Sequence, residues 1–534
     1  GIYDSVSLLL GDNPIIETVQ VAPRIKSSEI IVETKLRNYG AARAAELRHT
    51  LKAWKGGQQA ASGAPERIEL KAGEERTVRQ TIRIPNARLW SPEEPFLYVL
   101  ESSTGGDSAS SRFGMREFRF DTATRRAWLN GKVYFLRGSN VTLHRFFEDP
   151  GCKRLPWTEA WVRKLLAEIP KKMNWNSFRF CIGPVPDRWL EIADEAGLLI
   201  QNEYFIWTGH PEWRGVYSRK WNGDFLVEEY KRWMRDNWNH PSVAIWDANN
   251  ESFDPIFADK VIPAVRGLDL SGRPWENSYN IPVGPDDPVE HHPYLFSRTE
   301  NDSDRPFRMA ELEEMGGAPR GAGNIPSGHA AVVNEYGWIW LNRDGTPTEL
   351  TKKVYADLTG PNATAEERFA MNGYLLGGLT EYWRAFRHYA GVLHFVYLTC
   401  SYPGVYTSDH FRNLETLELD PYFADYVGEA FKPLGIYIHF WQPELKAGAE
   451  RTFPVMMVND GARPVKGRLV LSLEAEGGGE AARAETAFEL MANGQETYLV
   501  KLRVPAVSGS HLLKASAVPG SGGPTVSRRK VTVQ

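Results

Sequence analysis

At 534 residues the chain is longer than the ~250–300 residues at which a single core stops growing, so about three domains are expected. Its formal net charge of −4, from 63 basic and 67 acidic side chains, gives no electrostatic reason to expect nucleic acid or an anionic membrane as partner. No apolar run approaches the ~18 residues of a membrane helix, and three widely spaced cysteines, Cys152, Cys181 and Cys400, suggest neither a disulfide framework nor a zinc ribbon.

Gly1 in place of an initiating Met reads as a processed or trimmed start, so localisation stays open between secreted, periplasmic and cytoplasmic. From Ile15 to Phe120 the pattern is short β-rich runs divided by polar turns, as in "SEIIVETKLRNYG", "ELRHTLKAWKGG" and "RIELKAGEERTVRQTIRIP". That texture predicts a small β-sandwich over residues 13–120. It returns over 431–534 in "GIYIHFWQPELKAGAERTFPVMMVNDG", "RLVLSLEAEGG" and "GSHLLKASAV", which predicts a second sandwich.

Between them, over 121–430, apolar strands alternate with amphipathic helical stretches, the signature of βα units around a parallel sheet. Eight strands can be counted, beginning near residues 133, 177, 198, 243, 274, 288, 330 and 391. The fold class expected is therefore multidomain: a (β/α)8 TIM barrel flanked by N-terminal and C-terminal immunoglobulin-like β-sandwiches. The Gly/Pro-rich stretch 297–327 shows no element of its own and reads as a loop over the rim.

Barrels of this kind place their chemistry at the C-terminal ends of the strands. Glu251, in "HPSVAIWDANNES", ends the fourth strand, and Glu335, in "AAVVNEYGWIW", ends the seventh. His144, Arg179, Asn202, Glu203, His292 and Tyr294 stand at or near other strand ends. Two carboxylates are what glycoside hydrolysis requires, one to protonate the leaving oxygen and one to attack the anomeric carbon or activate water. A solvated glutamate at a strand end is the plain structural alternative for each.

A set of motifs in sequence order carries a resemblance. "RLWSPEEPFLYVL" is followed by "FGMREFRF" and "LNGKVYFLRGSNVTLHR", then by "NHPSVAIWDANNES" and "NEYGW". Together they resemble glycoside hydrolase family two, the clan A group of β-galactosidases, β-mannosidases and β-glucuronidases. The resemblance implies Glu251 as acid/base and Glu335 as nucleophile of a retaining exo-β-glycosidase, with β-galactosides first among the glycones and β-mannosides second. It further implies that Asn250 bonds the sugar 2-hydroxyl, that Arg179 donates to the nucleophile and holds it ionised, and that Tyr294 contacts it. His292, His144, Trp338 and Trp207 are further candidates for substrate binding, with Trp340 and His291 behind them; a structural hydrogen bond or a place in the core is the alternative for each.

No cofactor and no metal is implied, since no additional carboxylate set is identifiable. The partners implied are an oligosaccharide or glycoside substrate, no nucleic acid, no membrane, and either a second copy of the chain or a separate chain with the N-terminal domain. "GIYDSVSLL" resembles the last strand of a jelly roll that precedes the immunoglobulin-like domain in the family, so residues 1–12 are expected to be its remnant. Two departures stand out. "RFCIGPVP" replaces the His-Tyr-Pro element after the second-strand arginine, and "GVLHFVYLTCSYPG" has no tryptophan on the eighth strand. The Asn-x-Lys pair of the β-glucuronidases is also absent, leaving Arg384 and Arg387 as substitutes for holding a uronate. A catalytically altered carbohydrate-binding protein on the same scaffold is the alternative function, and a transglycosidase shares the first half-reaction.

Overall fold

A computed structural model describes residues 2–207, 222–301, 305–317 and 328–534. The chain divides into two compact units, Gly1–Thr122 with Trp128–Lys132 and Phe180–Val289, and Ala123–Ala127 with Val133–Arg179 and Glu290–Gln534.

In the first unit, strands Ile15–Arg24, Glu29–Arg37 and Glu75–Arg83 pair antiparallel in that order. A second sheet runs Gln59–Ser62, Arg43–Ala53, Tyr98–Ser103, Ser108–Phe113, and Glu66–Leu70 also pairs with Arg43–Ala53. Alternation sets the packing: in Glu29–Arg37 every second residue is buried, so Ile30, Val32 and Leu36 enter one core with Leu47, Leu51, Leu100 and Phe113. This immunoglobulin-like domain grips its barrel strands through main-chain groups. The Trp90 indole donates to the Asp194 carbonyl at 2.8 Å, the Asn239 side chain accepts from the Val21 amide at 2.9 Å, and the buried Arg116 guanidinium donates to the carbonyls of Pro241 and Val243.

Three barrel strands belong to this unit: β3 (Leu199–Glu203), β4 (Val243–Asp247) and β5 (Trp275–Glu276). β4 pairs parallel with both others, and all three are buried throughout, as expected of strands covered on both faces.

The second unit holds the other five barrel strands: β1 (Leu136–Val141), β2 (Ser177–Phe180, through Arg179), β6 (Val289–His291, from Glu290), β7 (Ala331–Val333) and β8 (Gly391–Leu398). Their order is β2-β1-β8-β7-β6. With the first unit they make up the eight strands of a TIM barrel. The weakly patterned fifth and sixth strands are present, as two and three residues.

The stretch 297–327, expected to carry no element, contains short helices at Ser297–Asn301, Met309–Glu311 and Leu312–Met315. Each is too short to show a helical period. They are held instead by the buried edge-on pair Phe296 and Phe307, 5.0 Å apart, and by the Arg298–Glu311 ion pair. Residues 302–304 and 318–327 of that stretch lie outside the described residues.

Helix Ala365–Ala385 starts at a capping box of Thr364 and Glu367 and is buried over most of its length. Gly373 and Gly377, one turn apart, allow helix Pro421–Ala430 to approach: a Cβ on either would stand 2.6 Å or 2.9 Å from Tyr422 or Tyr426. The C-terminal sandwich follows. One sheet runs Leu434–Ile438, Glu450–Asn459, Gln495–Arg503, and the other Glu444–Leu445, Thr525–Val533, Gly509–Pro519, Val465–Ala475, Glu480–Leu490. Its core is Ile438, Phe453, Leu469, Leu471, Leu513 and their neighbours.

Ionic contacts tie this sandwich to β1 and to the long helix of its unit. Asp460 accepts from Arg137 at 2.8 Å, from Arg384 at 2.7 Å and from Arg387, while Glu381 accepts from Arg529 at 2.9 Å and Ser527 at 2.7 Å. Burial raises the Asp460 carboxyl, but the three guanidinium groups outweigh it and hold it far below the usual carboxylate range. Arg384 also donates to the carbonyls of Ala430 and Lys432. Arg384 and Arg387 are thus committed at this junction, which removes them as holders of a sugar carboxylate.

Asp460→Asn removes the anion shared by these three arginines, and the loss expected is roughly 3–5 kcal/mol, read as a fall in the urea midpoint. A second expectation concerns pH. Burial depresses His410 to about 3 and His394 well below its ordinary value; their Nε2 atoms lie 3.2 Å apart beside Phe423. Both are neutral when folded and take up a proton near 6.5 when unfolded. Their stabilisation is therefore complete above that value and declines as pH falls below it, by up to about 1.4 kcal/mol per pH unit for each histidine. Urea melts between pH 7.5 and 5 should show this decline, and His410→Gln should flatten it.

Candidate active site

Each unit holds one of the two strand-end glutamates. In the first, Glu251 lies four residues past β4 with its backbone in the left-handed region, φ 45°. A non-glycine residue there is strained, and such strain persists where surrounding contacts over-determine it. The contacts are present. The Asn250 amide donates to the Ile206 carbonyl at 2.7 Å, which pins the turn after β4 to the one after β3. The Trp207 indole donates to Glu251 Oε2 at 3.0 Å and the Tyr279 hydroxyl to Oε1 at 2.9 Å.

The half-buried Glu251 carboxyl is therefore met by neutral donors on both oxygens. Asn250 is buried beside it, and Trp207 keeps 37% of its surface exposed, as a stacking platform would. Asn202 and Glu203 lie buried on β3; Glu203 accepts from the Ile182 amide.

In the second unit Glu335 lies two residues past β7 and is 4% exposed. Arg179, on β2 and fully buried, donates through Nη1 to Glu335 Oε1 at 2.6 Å, a charge-assisted hydrogen bond. The Tyr294 hydroxyl donates to Oε2, and His292 Nδ1 stands 3.7 Å from that oxygen. The nucleophile candidate thus meets a guanidinium, a phenol and an imidazole, from β2 and from the segment leaving β6.

Behind Glu335 lies a second carboxylate that strand counting did not single out. Glu290, on β6, accepts from His292 Nε2 at 2.9 Å and from the Asn334 side-chain Nδ2 at 3.1 Å, with Arg179 Nη2 3.4 Å away. Burial pushes its carboxyl up, but His292, Arg179 and the Asn334 hydrogen bond together hold it well below the usual range. Tyr279 was likewise missed. Glu290 lies on β6 two residues before His292, which is already past the strand, and Tyr279 lies three residues past β5; neither position by itself marks a functional residue.

The other candidates are distributed as follows. Trp338, also at positive φ (67°), is half-buried, donates to the Leu350 carbonyl at 3.1 Å and meets the Tyr294 ring edge-on at 5.1 Å. Trp340 is a core residue, 2% exposed with its indole bonded to the Phe395 carbonyl. His291 is buried, stacked on Tyr389 and bonded to its hydroxyl at 2.6 Å. His144 is half-buried on the short helix Leu143–Phe146 that follows β1.

Comparison with known proteins agrees with this layout. Residues 15–116 match the profile of Glycosyl hydrolases family 2, and residues 123–283 match that of Glycosyl hydrolases family 2, TIM barrel domain. The chain belongs to glycosyl hydrolases family 2. Among solved structures, this family member is similar in fold to a β-D-mannosidase from Dictyoglomus thermophilum, with a TM-score of 0.68, 16% identity, and coverage of 97% of this chain and 66% of that one. An exo-chitosanase of Amycolatopsis orientalis gives 0.68, 17%, 96% and 63%, and a β-glucuronidase of Bacteroides uniformis gives 0.55, 16%, 98% and 62%. The chain thus spans just under two thirds of the length of these neighbours.

Arg179→Leu would leave Glu290 and Glu335 buried without their shared guanidinium. Thermal and urea melts should show destabilisation of at least about 3 kcal/mol, the usual cost of removing one partner of a buried ion pair.

Proposed function

We propose that the protein is a retaining exo-β-glycosidase that hydrolyses a terminal β-linked sugar by double displacement. The observation that carries this reading is the unequal provision for the two strand-end glutamates: Glu335 meets the Arg179 cation and the Tyr294 phenol, whereas Glu251 meets the neutral donors Trp207 and Tyr279. Two carboxyl groups in different surroundings is the pattern of an acid/base and nucleophile pair.

Glu335 attacks the anomeric carbon while Glu251 protonates the leaving oxygen, forming a glycosyl-enzyme. Glu251 then removes a proton from the water that releases the sugar. Asn250 would bond the 2-hydroxyl, a contact that strengthens as the oxocarbenium ion develops. Trp207 and Trp338 supply aromatic faces for the sugar, with His292 and His144 as polar contacts. The motif resemblance puts β-galactosides first and β-mannosides second; the structural neighbours named above include a mannosidase, an exo-chitosanase and a glucuronidase. β-Glucuronides rank lower, because Arg384 and Arg387 are bound to Asp460.

The test is a panel of aryl β-galactoside, mannoside, glucoside, glucuronide and glucosaminide. Wild-type protein should cleave one with net retention by NMR, and Glu335→Gln should lose several powers of ten in kcat. Glu251→Gln should lose much less on a dinitrophenyl leaving group, which needs no proton, than on an alkyl one. An inhibitor complex should place the two carboxyl groups about 5–5.5 Å apart; a separation of about 6.5–9.5 Å, or net inversion, would refute the mechanism.

A further inference from the structure

Resting on the glycosidase reading, we propose that Glu290 is a positioning residue for the reaction: its buried carboxylate fixes His292 and Arg179 in the orientations in which both face Glu335. The side chain has no exposed surface, so it cannot reach substrate. Its role has to be exerted through its neighbours.

The geometry says which ones. Donors from three parts of the unit converge on one oxygen, Glu290 Oε2: His292 Nε2 at 2.9 Å, the Asn334 side-chain Nδ2 at 3.1 Å and Arg179 Nη2 at 3.4 Å. Two of these side chains use their other nitrogen toward the nucleophile, Arg179 Nη1 at 2.6 Å from Glu335 Oε1 and His292 Nδ1 at 3.7 Å from Oε2. Arg179 and His292 therefore each span the two carboxylates. The third, Asn334, is the residue immediately before Glu335, and its backbone is fixed as well, donating to the His291 carbonyl at 3.0 Å.

By accepting from Nε2, Glu290 fixes the ring plane of His292 and so decides which atom of it faces Glu335. Glu290 remains anionic because its three donors outweigh the burial that raises it. Without that charge Arg179 would have one carboxylate to serve instead of two, and His292 would have no fixed rotamer. An error of about 1 Å in a reacting group costs on the order of 100-fold in rate.

The experiment compares kcat and KM for wild type, Glu290→Gln, His292→Gln and the double variant on the aryl glycoside that wild type cleaves, with active sites counted by burst amplitude. Glu290→Gln should melt cooperatively, lose roughly 10–100-fold in kcat per active site and keep KM within about two-fold, as expected when an interaction made only in the transition state is lost. His292→Gln should lose a similar factor, the double variant little more than either, and Glu290→Asp should recover part of the loss. A folded Glu290→Gln with wild-type kcat, a loss confined to KM, or losses that multiply in the double variant would each overturn the proposal. If Glu290→Gln does not fold, wild-type kcat in both His292→Gln and Glu290→Asp would overturn it. Absence of cleavage by the wild-type protein would instead refute the glycosidase reading beneath it.

Discussion

The bridge of Arg179 between Glu290 and Glu335 is the constraint around which the second unit's half of the barrel is organised. A guanidinium with no exposed surface is tolerated only if its donors find acceptors, and its forked geometry lets one side chain serve two carboxylates where a lysine ammonium would act as a single point. The two carboxylates in turn stand close together only because a cation lies between them. β2, which pairs with neither β6 nor β7, is thus joined to both by charge, and Glu335 stands beside that junction two residues past β7.

The same reasoning applies at the junction with the C-terminal sandwich. Asp460 gathers Arg137 from β1 and Arg384 and Arg387 from the end of the long helix and the loop after it, and Glu381 holds Arg529. Charges buried there join a sheet to a helix at fixed distances, which a purely apolar contact would leave freer to slide. In the first unit Trp90, Asn239 and Arg116 engage main-chain groups around β4, and Arg112 adds an ionic contact, pairing with Glu195 at 3.0 Å and with the buried Asp194 at 3.5 Å. Glu251 is then aimed by its own strained backbone and by Trp207 and Tyr279, all within that unit.

The eight barrel strands and the two sandwich textures were legible in the sequence because alternation and apolar runs report directly which face of a segment is buried. Glu251, Glu335 and Arg179 could be singled out because each is a charged residue at or in an apolar strand, where charge is costly and needs a reason. The short helices between 297 and 317 escaped notice because three to five residues make about one turn, too few for a period to repeat. Glu290 and Tyr279 escaped for a different cause: nothing near them in the chain distinguishes a carboxylate that anchors a histidine, or a phenol that meets a glutamate, from an ordinary polar neighbour.

The sequence by itself determined the type and order of the elements and the positions where charge leaves an apolar strand, since these depend on neighbours a few residues away. The tertiary structure alone decided the partners. It turned Arg384 and Arg387 toward Asp460, placed Trp340 in the core and left Trp207 half-exposed on Glu251, and put Glu290 between His292 and Arg179. Hydrogen bonds and ion pairs act over about 3 Å in space between residues as distant in the chain as Arg137 and Asp460, and only the closing of strands and helices around one another brings those atoms within range.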